Sequence, residues 1–382
     1  MPSPGRSMQA PDSGNRSAFH PMEHRLADGV HTPCNRITLT ANLVGSQRVM
    51  SDDLYRTARE HRVGTGSAHG KIILLGEHTV VYGMPAIAIP MPDLRVDAVA
   101  YQRAPIGSPY IDPAPRRPDT ELIRTVHIDP GGDDASGDSI GTAAHALLRI
   151  LGYPAHPVDV VVRCAVPPGR GLGASAACAL AAVRALADHL DHPLPPETLR
   201  RAAQRGEDLA HGTASGIDAA ACLADGPIWF EAGWVRPLTC PARARIVVAD
   251  TGIPGSTSVA VAHVRTRLGV ESDWARKQLI TAAALTRLAA DDLATGALSA
   301  LGRHCLASHA LLSELGVSCQ ALDRLVTAAV DAGAPGAKLT GGGLGGCMIA
   351  LAEDIPHADR VAAALERAGA VRIWTIPFGA AA

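Results

Sequence analysis

The 382-residue chain is 47% hydrophobic, which is enough apolar sequence for two domains with cores of their own. Its 35 basic and 37 acidic side chains give a net charge of −2, so charge offers no argument for binding nucleic acid or a membrane surface. The eight cysteines include no Cys-x-x-Cys pair, and no run of about 18 apolar residues is present. These features predict a cytoplasmic globular protein with free thiols, and with neither nucleic acid nor a membrane as a partner.

The first 60 residues differ in composition from the rest of the chain. They are rich in Ser, Pro, Gly and His, and they lack the apolar segment of a secretory signal. Such a segment cannot bury enough apolar surface to fold by itself. We therefore expect a poorly ordered extension over residues 1–60, a first domain over 61–232 and a second domain over 233–382.

Two predicted strands open the first domain, over residues 64–75 and 86–89, with a turn between them. Three polar residues, Lys71, Glu77 and His78, stand within this otherwise apolar sequence. A buried charge is costly unless it is paired. A functional site and a structural ion pair both explain these residues, and the sequence leaves the two readings open here.

A glycine-rich segment joins a predicted buried strand, residues 158–166, to a predicted helix, residues 174–189. Its glycines let backbone N–H groups approach an anion at the helix N-terminus, where a serine hydroxyl could bind phosphate or a metal ion. We therefore expect a phosphate-binding loop, formed by Pro167, Pro168, Gly169, Arg170, Gly171, Leu172, Gly173, Ala174, Ser175, Ala176 and Ala177. The pattern also fits a dinucleotide-binding turn, and a plain connecting turn is the remaining alternative.

The other elements of the first domain are predicted around this loop. A proline-rich loop over 103–120 and a second loop over 129–138 precede a helix over 139–151. A helix over 195–210 follows the glycine-rich segment and ends in a Gly/Ser-rich break. Beyond the break we expect Ser215 to cap the next helix, which places Asp218 about one turn inside it. A strand over 227–230 closes the domain.

The second domain alternates strands and helices. We predict a strand over 244–250, helices over 257–268, 272–296, 298–315 and 319–332, a strand over 347–351, a helix over 356–368 and a strand over 371–377. A glycine run at 341–346 precedes the strand over 347–351. We expect this run either to approach a ligand closely or to face the first glycine loop. Together the elements predict an α+β protein.

Three motifs now stand in one order along the chain, at residues 70–83, 167–177 and 338–346. This set resembles the GHMP kinase superfamily over residues 64–377. The continuation Thr79-Val80-Val81-Tyr82-Gly83 after Gly-Glu-His is most similar to the mevalonate kinases, whereas galactokinases typically continue with Thr-Asp-Tyr. The resemblance implies a two-domain fold, with a ribosomal S5-like N-terminal domain and a ferredoxin-like α/β C-terminal domain.

The resemblance also implies roles for individual residues. Asp218 matches the catalytic base, and Lys71 matches the lysine beside the transferred phosphate. Ser175 and Glu207 match the ligands of magnesium. The implied substrate-binding set is Lys71, Glu77, His78, Asp218 and Thr257, and the implied third-motif loop is Gly341, Gly342 and Gly343.

The activity implied by the resemblance is the ATP- and Mg²⁺-dependent phosphorylation of the C5 hydroxyl of mevalonate, in isoprenoid precursor biosynthesis. One alternative is another small-molecule kinase of the superfamily, acting on a sugar, homoserine or phosphomevalonate. A second alternative, from a different class, is a non-catalytic nucleotide-binding regulator. Relatives of this kind are often dimers, so a homodimer is the implied assembly.

Overall fold

The computed structural model describes residues 62–102, 122–128, 139–153, 157–211, 214–241, 243–269 and 272–378. The predicted N-terminal extension and the predicted loops over 103–120 and 129–138 lie outside these residues. Over the described part of the chain, helices and antiparallel strands form two sheets with their flanking helices, which confirms the α+β class. None of the helices in this part is long and apolar enough to cross a bilayer.

Six antiparallel strands form the first sheet, in the order β3-β4-β2-β5-β6 with β1 also paired to β2. The strands are β1 (Gly64–Leu75), β2 (Ala86–Gln102), β3 (Leu122–Ile128), β4 (Val158–Cys164), β5 (Ile228–Glu231) and β6 (Trp234–Pro237). The predicted end of β2 at residue 89 is wrong, because this strand continues past Pro90 and Pro92. Proline lacks the N–H of a strand ladder and usually marks a strand end. Here Pro90 still pairs with Lys71, whereas Pro92 lies in a bulge of β2 between the pairs Gly70–Met91 and His69–Arg95.

Two strands of this sheet were not predicted. β3 lies between the two predicted loops, and β6 is exposed along its whole length, so β6 carries no alternation of apolar and polar residues.

The described residues of the first half form four α-helices, besides a short 3-10 helix over Thr79–Tyr82. They are α1 (Ser139–Leu151), α2 (Ala174–His189), α3 (Pro196–His211) and α4 (Ile217–Leu223). The bounds of α1 and α2 are those predicted from the sequence. Helix α2 packs across β1, β2 and β4, with α1 and α3 beside it. Its alanines beyond Ala174 are buried, and their small size lets the helix lie close to the sheet. This packing fixes the position of the glycine-rich loop that precedes α2.

A four-stranded antiparallel sheet organises the second half, in the order β10-β7-β9-β8. The strands are β7 (Ala244–Asp250), β8 (Ala337–Thr340), β9 (Cys347–Ala352) and β10 (Arg372–Phe378). The helices are α5 (Thr257–Leu268), α6 (Asp273–Thr295), α7 (Leu298–Glu314), α8 (Gln320–Asp331) and α9 (Ile355–Arg367). All of these elements except β8 were predicted, with bounds that differ by one or two residues at most.

The two faces of β7 pack against different parts of the molecule. Ile246 and Val248 share one hydrophobic cluster with the first sheet, whereas Val247 and Ala249 lie in a second cluster with α8 and α9. Because successive side chains of a strand point to opposite faces, both faces of this sheet are buried. The core is therefore continuous between the two halves of the chain.

The two glycine segments meet backbone to backbone where the halves join. A Cβ atom built on Gly341 would lie 2.7 Å from the Cα atom of Gly171, and both residues have positive φ angles, +76° and +75°. The backbone N–H of Gly255 also donates to the carbonyl of Gly169, at 3.0 Å. The expectation that the 341–346 run faces the first glycine loop is thus confirmed. Only glycine fits at this contact, because any side chain would separate the two loops.

We predict that Gly341→Ala is more destabilising than a positive φ angle alone explains. The left-handed conformation costs alanine about 1 kcal/mol, and the clash with Gly171 adds about 1–3 kcal/mol of overpacking. Gly152→Ala is the matched control, because Gly152 has a φ of +79° and no heavy atom within 4 Å of a built Cβ. Urea unfolding of both variants measures the difference. Equal losses of unfolding free energy would contradict the close approach.

Candidate active site

Lys71 lies near the middle of β1 and is almost fully buried, with 2% of its side chain exposed. Its ammonium is 3.1 Å from Oδ1 of Asp218 and donates to the carbonyl of Gly171, also at 3.1 Å. The backbone N–H of Lys71 donates to the carbonyl of Leu172 at 2.9 Å. Lys71 is therefore bound to the glycine-rich loop through its main chain and its side chain, and the predicted proximity of Lys71 and Asp218 is confirmed.

Asp218 is the second residue of α4, and the predicted cap of this helix is wrong. The N-cap residue is Gly216, with a φ of +90° and no side-chain cap, whereas Ser215 Oγ accepts a 3.4 Å bond from the N–H of Ile217. The chain enters α4 through a left-handed residue, which glycine adopts without strain. Asp218 therefore stands in the first turn, not one turn inside the helix, and its carboxylate reaches Lys71.

The glycine-rich loop turns sharply before α2. Its three glycines have φ angles of +67°, +75° and +77°, and Gly173 is the N-cap residue of α2. A Cβ atom on Gly173 would lie 2.9 Å from Cγ of Lys71, so glycine is required where the loop crosses the lysine. The loop as far as Ser175 borders a cavity, whereas Ala176 and Ala177 are fully buried in the core. Pro168 is exposed and does not line this cavity.

Ser175 and Glu207 lie together at the N-terminal end of α2. Burial and the nearby Asp218 carboxylate raise the pKa of Glu207 to about 7, and the hydrogen bond with Ser175 opposes this rise. A buried carboxylate beside a second carboxylate and a hydroxyl offers hard oxygen donors, which suit Mg²⁺. Among the described residues no group of three or more His, Cys, Asp and Glu could hold a metal by itself. The Glu207 carboxylate and the Ser175 hydroxyl are nevertheless donors of the kind that fits a hard cation such as Mg²⁺.

Glu77 forms a buried ion pair with Lys338 of β8, and both side chains have at most 1% exposure. Lys338 also donates to the carbonyl of Leu339 at 2.6 Å. Desolvation by burial raises the pKa of Glu77, and the Lys338 charge lowers it in part. Of the two interpretations of Glu77 that the sequence left open, the structural ion pair is the one that matches its contact in the structure. Sequence reasoning missed Lys338 as the partner, although a lysine within the apolar stretch Ala-Lys-Leu-Thr gives the same signal that drew attention to Lys71.

His78 has a strained backbone and a buried ring. Its φ of +62° is unusual for a residue with a side chain, and its Nε2 is 3.0 Å from the carbonyl of Gly342. Because a carbonyl can only accept, Nε2 carries the proton. Burial lowers the pKa of His78 to about 4, with Lys338 and His263 adding to the effect of burial. The imidazole is therefore neutral at pH 7.

Two cavities meet at the Lys71–Asp218 pair, and both are bordered by Gly171, Glu207, Asp218 and Thr257. We name them the loop cavity and the inner cavity. The loop cavity is lined by the glycine-rich loop, Ser175 and the start of α5. The inner cavity is lined mainly by Lys71, Ile73, Glu77, His78, Val80, Val81, Gln204, Ile217, Val261, Gly341 and Gly342.

Most candidate residues of the three motifs thus converge on the two cavities; Pro168, Ala176 and Ala177 of the second motif and Gly343 of the third do not. Gly343 lines neither cavity, and a Cβ atom there would lie 2.1 Å from the carbonyl of Val317. Thr257, the first residue of α5, borders both cavities. The arrangement places the glycine-rich loop, a carboxylate–hydroxyl pair and a lysine–aspartate pair around one point.

Comparison with known proteins assigns this arrangement to a family. Residues 138–226 match the family described as GHMP kinases N terminal domain, and residues 289–371 match GHMP kinases C terminal. A mevalonate kinase of Pyrococcus abyssi (strain GE5 / Orsay) is 35% identical over 335 residues, which cover 82% of this chain and 95% of that relative. The chain belongs to the mevalonate kinase family of GHMP kinases. As in other kinases of this superfamily, ATP is the phosphoryl donor.

Solved structures of mevalonate kinases share the fold. The crystal structure of L. major mevalonate kinase in complex with R-mevalonate aligns with a TM-score of 0.66 and 26% identity, covering 83% of this chain and 97% of that one. The structure of a mevalonate kinase from Staphylococcus aureus MRSA252 aligns with a TM-score of 0.59 and 29% identity, covering 84% of this chain and 100% of that one. Lactococcus lactis galactokinase complexed with galactose aligns with a TM-score of 0.63 and 19% identity, covering 83% of this chain and 93% of that one. At this identity the likeness shows the fold alone.

We predict that Lys338→Met destabilises the protein by about 3–5 kcal/mol, because it leaves the Glu77 carboxylate buried without its counter-charge. The double variant Glu77→Leu/Lys338→Met replaces the ion pair with apolar side chains and should recover most of this loss. Urea unfolding at pH 7 measures the three free energies. A double variant as unstable as the single one would contradict the pairing.

We predict that His78 makes the protein less stable in mild acid. Its folded pKa of about 4 lies below the value of 6.5 for an unfolded histidine, so the unfolded state binds the extra proton first. The stability contribution is complete above pH 6.5 and falls by about 3 kcal/mol as the pH drops to 4. His78→Asn, which tolerates the positive φ angle, should remove that part of the pH dependence. Unfolding free energies of both proteins at pH 7 and pH 4 measure it; identical pH slopes would contradict it.

Proposed function

We propose that the protein transfers the γ-phosphoryl group of ATP to the C5 hydroxyl of mevalonate. The observation that carries this proposal is the Lys71–Asp218 pair, which lies where the loop cavity and the inner cavity meet. In a phosphoryl transfer the donor phosphate and the acceptor hydroxyl must meet at one point with their charges balanced. The pair supplies a cation and a carboxylate at that point.

The loop cavity suits the phosphates of ATP. Three glycines without side chains expose the backbone of the loop, and α2 begins directly after them, so N–H groups and the helix dipole favour an anion. Ser175 and Glu207 would hold Mg²⁺ at the inner end of this cavity. When bound, Mg²⁺ would neutralise part of the phosphate charge, and it would favour the ionised form of the Glu207 carboxyl group.

The inner cavity suits a small alcohol with an aliphatic body. Ile73, Val80, Val81, Ile217 and Val261 give it a largely apolar wall. A methyl-bearing hydroxy acid such as mevalonate can pack its carbon chain against this wall. A sugar would need a hydrogen-bonding partner for each of its hydroxyl groups, because buried polar groups without partners are costly.

The roles of the two central side chains follow from their positions. Asp218 would accept the proton of the attacking hydroxyl, while Lys71 would offset the charge that develops on the transferred phosphoryl group. Since Lys71 is held by Gly171 as well as by Asp218, its ammonium is already in place before the substrates bind. Catalysis would then depend on fixed positions, as is typical of phosphoryl transfer. The homodimer and the cytoplasmic location stay predictions.

The first test is an ADP-release assay with Mg²⁺-ATP and four alcohols: mevalonate, phosphomevalonate, galactose and homoserine. Turnover with mevalonate alone would support the proposal. Turnover with a different alcohol would overturn the substrate while keeping the kinase, and ATP binding without any turnover would favour a regulator.

We further predict that Asp218→Asn lowers kcat by about 10²–10⁴-fold while nucleotide binding is retained, because the amide cannot accept the hydroxyl proton. Steady-state kinetics and ADP titration measure the two effects. Asp97→Asn is the control, because Asp97 pairs with Arg95 on the first sheet and borders neither cavity. A kcat near that of the wild type would remove Asp218 from the chemistry.

A further inference from the structure

Arg170 is a cation in the middle of the glycine-rich loop, and its side chain binds a carboxylate of the second sheet. Its Nε donates to Oδ2 of Asp250 at 2.8 Å, and its Nη2 is 3.4 Å from the carbonyl of Gly252. A loop that binds phosphates would be expected to direct a cation at them. Here the charge of Arg170 is instead directed at a residue from the other half of the chain.

Asp250 is a rigid anchor for this contact. It is the last residue of β7, which lies inside the second sheet between β10 and β9, and 5% of its side chain is exposed. Its second carboxylate oxygen, Oδ1, accepts the N–H of Gly252 at 2.8 Å. Its main-chain carbonyl accepts the N–H of Val371 at 2.9 Å. The carboxylate therefore has a fixed position, and a bond to it constrains whatever it holds.

The loop on the other side of this contact needs such a constraint. Gly169 and Gly171 flank Arg170, and glycines have more backbone freedom than any other residue. Two further contacts hold the same segment against the second half of the chain. The N–H of Gly255 donates to the carbonyl of Gly169, and a Cβ atom on Gly346 would lie 3.0 Å from the carbonyl of Arg170. The Arg170 side chain is the charged member of this set of contacts.

We propose that Arg170 is a positioning residue, and that its ion pair with Asp250 holds the glycine-rich loop in the conformation that binds the phosphates of ATP. This inference rests on the proposed function, because it takes the loop cavity as the nucleotide site. Arg170 acts through the backbone of the loop, and Asp250 acts through Arg170. Neither side chain needs to touch the nucleotide.

The experiment compares Arg170→Met, Asp250→Asn and the double variant in the full-length protein, by titration with Mg²⁺-ATP and with adenosine in the absence of the alcohol. Both single variants should weaken Mg²⁺-ATP binding by about 5–30-fold, as expected for the loss of one charge-assisted contact. Adenosine has no phosphate, so its affinity should be unchanged. The double variant should bind Mg²⁺-ATP no more weakly than the weaker single variant, because both substitutions remove one interaction.

Steady-state kinetics give an independent readout. The KM for ATP should rise in both single variants with little change in kcat, since the Lys71–Asp218 pair is intact. Arg170→Lys should restore part of the affinity, because an ammonium can pair with Asp250 without also reaching Gly252. Arg287→Met is the matched control: Arg287 of α6 pairs with Glu231 of β5 at 3.0 Å, which also joins the two halves but borders neither cavity. Its nucleotide affinity should equal that of the wild type.

Two results would overturn the proposal. If Asp250→Asn binds Mg²⁺-ATP as well as or better than the wild type while Arg170→Met loses affinity, Arg170 contacts the phosphates directly. If both variants bind like the wild type, the ion pair has no influence on the loop. Asp250→Asn keeps the size of the side chain, so it provides the answer even if Arg170→Met fails to fold. A wild-type protein that binds Mg²⁺-ATP but phosphorylates no alcohol contradicts the proposed function and leaves this inference testable.

Discussion

The buried ammonium of Lys71 is the charge on which the rest of the site depends. Its side chain is 2% exposed, and burying such a group is costly unless the surrounding groups replace its hydrogen bonds to water. Asp218 and the carbonyl of Gly171 do so, and they come from different elements, the start of α4 and the glycine-rich loop. One strand residue therefore fixes both the Asp218 carboxylate, which borders the inner cavity, and the glycine-rich loop, which borders the loop cavity. The absence of a side chain at Gly173 is what lets the loop cross the lysine closely enough.

Two acidic side chains, Glu207 and Asp218, lie beside one lysine at this point. Burial, together with repulsion from the Asp218 carboxylate, raises the pKa of Glu207 to about 7. A site of this kind favours the binding of a cation together with an anionic phosphate. The electrostatics and the glycine backbone thus support the same ligand, a metal–nucleotide complex, through independent physical effects.

Among the polar contacts that join the two halves of the chain around the cavities, three have different roles. Glu77, which lines the inner cavity, forms a fully buried ion pair with Lys338. The hydroxyl of Thr340 makes two hydrogen bonds with the backbone of Ile73 in β1. It accepts the N–H of Ile73 at 3.0 Å and donates to the carbonyl of the same residue at 2.9 Å. Arg170 and Asp250 join the loop to β7. Because the cavities lie between the halves, these contacts set their shape.

The sequence by itself determined the α+β class, most element bounds, and the glycine loops and charged residues that border the cavities, because glycine loops, helix patterns and buried charges are local signals. It did not determine that β2 continues past Pro90, or that Gly216 precedes α4 in place of a Ser215 cap, since tertiary packing overrides local preference at both places. Only the tertiary structure decided the partners of Glu77 and Arg170. Lys338 and Asp250 lie 261 and 80 residues away in the chain, and such pairs depend on how two sheets pack against each other.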